Sequence, residues 1–87
     1  MEHLSFHTPL VIFARDPSEV VLISTVAEAL AFLFVRAQRE DNRHWKAALE
    51  SCRIAELGRG TTTAARSTFV AAIRQAGMLV DVNLAAI

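Results

Sequence analysis

The chain has 87 residues, 53% of them hydrophobic, with nine basic and nine acidic side chains and one cysteine. A chain this short makes one domain, residues 1–87, near the lower limit for folding without metal or disulfides, and holds more apolar material than one small monomer readily hides. Zero net charge argues against a general polyanion binder, and a lone cysteine excludes an internal disulfide and fits a reducing cytoplasm.

Phe6 to Ala14 reads as a first strand, because Leu10-Val11-Ile12-Phe13 is a β-branched and aromatic run and Pro9 sits where a missing amide does least harm. Arg15-Asp16-Pro17-Ser18-Glu19 is a turn, and Val20 to Ile23 is the hairpin partner. Neither strand alternates in polarity, which predicts cover on both faces. Thr25-Val26-Ala27-Glu28 has the spacing of a capping box, in which hydroxyl and carboxylate each accept the other residue's amide. The helix it opens is predicted to reach about Arg39. Helical spacing puts Val26, Leu30, Leu33, Phe34 and Ala37 on its core stripe. Ala31, Phe32 and Val35 then fall on the far side, among Glu28, Gln38 and Arg39.

Asp41 or Asn42 is placed to cap a second helix, whose buried stripe is Trp45, Ala48, Leu49, Cys52 and Ala55, with Lys46, Glu50 and Arg53 in water. Gly58 and Gly60 bracket its end, since glycine takes positive φ without steric cost. Thr61 to Thr63 offer hydroxyls to the next helix start. The third helix, about Ala64 to Ala76, buries Ala65, Phe69, Ala72, Ile73 and Ala76. Gly77 stops it, and Met78 to Asn83 alternates as a last strand, with Met78, Val80, Val82 and Leu84 on one side. The expected fold is α+β, ordered β-β-α-α-α-β, with a small antiparallel sheet and helices mainly on one face. The apolar hairpin strands suit central or doubly covered positions better than the last strand does.

Ser24-Thr25-Val26-Ala27-Glu28-Ala29-Leu30-Ala31-Phe32-Leu33 resembles the TVEEAxxFLL opening of domain-of-unknown-function family 982, small alphaproteobacterial proteins. Trp45, Ala48, Cys52, Gly58, Ala65-Arg66, Phe69 and Ala76-Gly77-Met78-Leu79-Val80 look like that family's second block. Between Val35 and His44 the chain departs from the pattern, carrying Arg36 to Arg43 where members usually have a Trp-Pro pair. The resemblance implies a small α+β domain and no assigned activity.

Candidate chemistry is sparse. His3 and His7 have the spacing of a helical metal pair, but they precede a β-run, and zinc wants three or four converging ligands. His44 reads as a solvated residue near a helix start. Cys52 lies mid-stripe on an apolar helix face and reads as a small core residue, with no base to activate it. Gly58-Arg59-Gly60-Thr61 lacks the lysine and the preceding strand of a phosphate loop. No catalytic, cofactor or metal set emerges, so an enzyme or ligand-binding domain with an unrecognised site is a minor reading.

Residues 36–74 hold eight Lys/Arg against four Asp/Glu, and the rest of the chain one against five. Arg36, Arg39, Arg43, Lys46 and Arg53 would form a basic surface, which keeps nucleic-acid binding through segment 36–53 as an alternative. Aromatic interleaving for base stacking is missing, so nucleic acid is disfavoured. The opening MEHLSFHTPL has neither the basic start nor the apolar run of a secretory signal. The run from Ala29 to Val35 is far short of the roughly 20 residues of a membrane helix. A soluble, cytoplasmic protein is expected.

The residual anomaly is surplus apolar surface, at Phe32 and Val35 and on the first two strands, which are apolar on both faces; such surface marks contact sites on soluble proteins. A homodimer or protein-partner interface at these residues is the leading expectation, in a small non-enzymatic interaction or regulatory protein. In a two-fold pair of antiparallel helices, Glu28 of one copy could approach Arg39 of the other.

Overall fold

The computed structural model describes residues 5–15, 18–40 and 42–81. His3, the Asp16-Pro17 pair, Asp41 and the expected strand positions Val82 to Leu84 lie outside the described residues, as do the side chains of His7 and Thr8. The elements follow in the order β1 (Ser5–Ala14), β2 (Glu19–Thr25), α1 (Val26–Val35), α2 (Arg43–Glu56), α3 (Thr62–Gln75) and β3 (Leu79–Asp81). This is the expected α+β architecture.

The three strands form one antiparallel sheet in the order β2-β1-β3. β1 is central. Its partner β2 is an edge strand, not the central or doubly covered one its composition suggested, because β3 takes the other side of β1. Register follows Leu10↔Ile23, Val11↔Leu22, Ile12↔Val21, Phe13↔Val20 and Ala14↔Glu19 on one side of β1, and Val11↔Asp81, Ile12↔Val80 and Phe13↔Leu79 on the other. The β1–β2 register slips between Ser5 and Leu10, a stretch that contains Pro9, which has no amide to give a ladder.

Directly opposed residues share a face, so the register sorts the sheet into two sides. Leu10, Ile12, Ala14 and Ile23 are buried on the inner side, in one core with Val26, Ala29 and Leu33 of α1, Trp45, Ala48, Cys52 and Ala55 of α2, and Ala65, Phe69, Ala72 and Ile73 of α3. The outer side is open. Phe13, Val20, Leu22 and Leu79 are 40–72% exposed there, while Val11, opposed by Leu22 and Asp81, is buried. Among the described residues, the expected cover on both faces is therefore found on one only.

Helix boundaries follow local chemistry. The Thr25 hydroxyl accepts the Glu28 amide at 3.1 Å and the Glu28 carboxylate accepts the Thr25 amide at 3.2 Å, which completes the capping box. Asn42 caps α2 through the Trp45 amide, and Thr61 caps α3 through the Ala64 amide. Both later helices end in Schellman turns. Gly58 (φ +76) and Gly77 (φ +81) take the left-handed position. The amides of Arg59 and Met78 then reach back to the carbonyls of Ile54 and Ile73.

α1 differs from expectation in length and phase. It ends at Val35 rather than Arg39, with residues 36–39 in turns. Tertiary bonds cause the stop. The indole N–H of Trp45 donates to the Leu33 carbonyl at 2.8 Å, and the Arg36 guanidinium donates to the Arg15 carbonyl at 2.7 Å. The buried stripe is Val26, Ala29, Phe32 and Leu33, continued by Arg36, whereas Phe34 is 73% exposed and Leu30 and Ala37 are half-buried. Phe32 is thus a core residue, corrected from the solvent side. Val35, at 83% exposure, stands where the sequence placed it. The error has a simple origin: Glu28 is the one charged residue in the helix, so periodicity has too little contrast to fix its phase.

Candidate interface: the groove between β2 and α1

A groove of about 630 Å³ runs along the open edge of β2. One wall comes from β2, through Glu19, Val21, Leu22 and Ile23. The other comes from α1 and the turn after it, through Glu28, Ala31, Phe32, Val35, Arg36 and Arg39. The second wall steps by three and four residues, which is how a single helix face recurs. The groove therefore has an apolar middle at Ala31, the edge of Phe32, and Val35. Its two ends differ in charge, with Glu28 at the start of the helix and Arg39 beyond its end.

At the basic end, Arg36 ties the helix to the hairpin. Its guanidinium donates to the Arg15 carbonyl, pairs with the Glu19 carboxylate at 3.3 Å, and lies 5.0 Å from the centre of the Phe32 ring. Only 8% of Arg36 is exposed. A buried cation is tolerable because it donates to a carbonyl and a carboxylate and lies against an aromatic ring. This removes Arg36 from the basic surface expected of segment 36–53, while Arg39, Arg43, Lys46 and Arg53 remain exposed. At the acidic end, Glu28 accepts the Ser24 amide at 2.6 Å as well as that of Thr25.

Phe32 and Val35, named together from the sequence, both line this groove, but their roles separate. Phe32 is fixed from within by Phe69, edge to face at 6.0 Å between ring centres, and by Trp45 at 6.5 Å. Val35 is free to be covered. The sequence reading missed Glu19 and Arg36 as groove residues, while Leu22 belonged to the hairpin strands it marked as apolar on both faces. The helical step that joins Glu28, Phe32 and Val35 continues to Arg36 and Arg39 and was a signal for Arg36; Glu19 comes from a different element and left no such mark.

Cys52 stands apart from the groove, fully buried on α2. Burial pushes its thiol up from the ordinary 9.0 to about 11, with the nearby Glu56 charge adding to the rise. A pKa raised by folding means that the folded state holds the proton more tightly. The thiol's contribution is therefore complete below pH 9.0 and is lost as pH climbs toward about 11. Chemical denaturation at pH 8 and pH 10 should show a fall in stability that the Cys52→Ala variant shows less of. Iodoacetamide should label the native thiol only after unfolding.

Among the described residues, no three His, Cys, Asp or Glu side chains are grouped to hold a metal ion, and no helix is long and apolar enough to cross a membrane. No curated protein and no solved structure matches the chain. The sequence profile described as "protein of unknown function (DUF982)" matches residues 8–80. This spans the hairpin, all three helices and the start of β3, so the chain belongs to the DUF982 family.

Proposed function

We propose that the protein is a small, non-enzymatic, cytoplasmic interaction module that works as a homodimer through the β2–α1 groove. The observation that carries this reading is the exposed apolar stripe of α1, with Val35 83% exposed beside an open strand edge. Leaving such a side chain in water forfeits the burial of roughly 1.5–3 kcal/mol worth of apolar surface. A two-fold interface covers the same patch on both copies at once. The biochemical role that the dimer serves is not specified by this surface, in keeping with a family of unknown function.

Val35→Lys places a charge at the centre of the stripe without touching the core. Light scattering should then give the monomer mass at concentrations where the parent protein is dimeric, with an unchanged circular dichroism spectrum. Unchanged association of the variant would remove this face of α1 from the interface.

A further inference from the structure

We propose that the two copies join by pairing their β2 edges, antiparallel across a two-fold axis at Val21, so that two three-stranded sheets become one sheet of six. The proposal rests on the reading that the β2–α1 side is a self-interface, and adds how the copies meet.

The first argument is the hydrogen-bonding state of the edge. Among the described residues β2 pairs with β1 alone, and from Glu19 to Ile23 its register runs without a slip. It carries no proline or lysine, and its one charged residue, Glu19, stands at its start and is paired with Arg36. The Ser24 amide lies outside the β1 ladder and is taken by Glu28 at 2.6 Å. Amides alternate in direction along a strand, and the proposed pairing uses those of Val20 and Leu22 at the open edge. The edge thus offers the backbone groups of Val20 and Leu22 and closes at Ser24.

The second argument is register. An axis at Val21 sets Val20 opposite Leu22 of the second copy, and Leu22 opposite Val20, so that all the offered groups pair and the closed one is left out. Opposed side chains share a face, and this register keeps outer against outer. Val20 and Leu22, 68% and 58% exposed, then pack against each other across the junction.

The third argument is charge. The helices lie on the inner face in both copies, so the two α1 stripes flank the junction and run in opposite directions. Each stripe goes from Glu28 to Arg39. A two-fold axis lays the acidic end of one on the basic end of the other, whereas a parallel arrangement would set like on like. This complementarity favours a second copy over a foreign strand as the occupant.

Residues at Val21 would face each other across the axis as a pair not joined by hydrogen bonds, the closer of the two pair types. Under mild oxidation Val21→Cys should become a disulfide-linked dimer, while Leu79→Cys, on the opposite edge of the sheet, should stay monomeric on a non-reducing gel. Cys52 is buried and does not compete. If Val21→Cys folds poorly, an equimolar mixture of Val20→Cys and Leu22→Cys should give the mixed disulfide in preference to either symmetric one. A dimeric parent whose variants fail to cross-link, or in which Leu79→Cys links equally well, overturns edge pairing and leaves the interface reading intact. A monomeric parent overturns both.

Discussion

Trp45→Ala will leave the chain largely unfolded at room temperature. Trp45 is 1% exposed, lies against Phe32, and gives its indole N–H to the Leu33 carbonyl. The substitution therefore removes the largest core side chain and orphans a buried carbonyl in the last turn of α1. Truncating a buried tryptophan costs about 3–5 kcal/mol, and a carbonyl left without a partner adds about 1–3 kcal/mol. Small domains have only about 5–15 kcal/mol in total, and this one sits at the small end of the size range. Far-ultraviolet circular dichroism and a thermal melt check the result. Trp45→Phe separates the two losses: it keeps most of the packing and loses the hydrogen bond, so it should fold with a lowered melting temperature. A parent-like melt for Trp45→Ala would take the residue out of the core.

Phe32→Ala ranks second. The ring fills the space between Trp45 and Phe69 and supports the Arg36 guanidinium from below. Its removal opens a cavity where α1, α2 and α3 meet and loosens the tie from Arg36 to the hairpin. The expected cost is about 3–5 kcal/mol. Val35→Ala, three residues away on the same helix, should change the stability of the monomer by no more than about 0.5 kcal/mol, because it deletes exposed surface. Urea denaturation of both variants at low protein concentration makes the comparison. Equal losses would mean that the phase of α1 is not as described.

Much of this fold could be read from single residues whose chemistry is local. Thr25, Glu28, Asn42 and Thr61 cap the helices they precede, and Gly58 and Gly77 end the helices they follow, because each acts on backbone groups within a few positions. The hairpin and the stripes of α2 and α3 were legible for a similar reason, with polar residues marking the outer faces. α1 was not, since nine of its ten residues are uncharged and apolar and burial is decided by what α2 and α3 bring to it. The place of Arg36 was hidden for a different reason. Its partners Glu19 and Arg15 lie 17 and 21 residues away, and only the folded hairpin brings them near.

The edge position of β2 was equally out of reach. Val20 to Ile23 has the composition of a doubly covered strand, and only the pairing of β3 with the far side of β1 shows that one flank is open. That mismatch between composition and position is also what points to an interface. The outer row Val20-Phe13-Leu79 and the exposed face of α1 are unusual on a chain that stays single.

The most direct test of self-association through the β2–α1 side is the mass of the unmodified protein in solution. Multi-angle light scattering across a concentration series up to high micromolar should give twice the 9.5 kDa chain mass, falling toward the single-chain value on dilution. A constant 9.5 kDa at every concentration would contradict the homodimer and leave the groove to a different protein or to none.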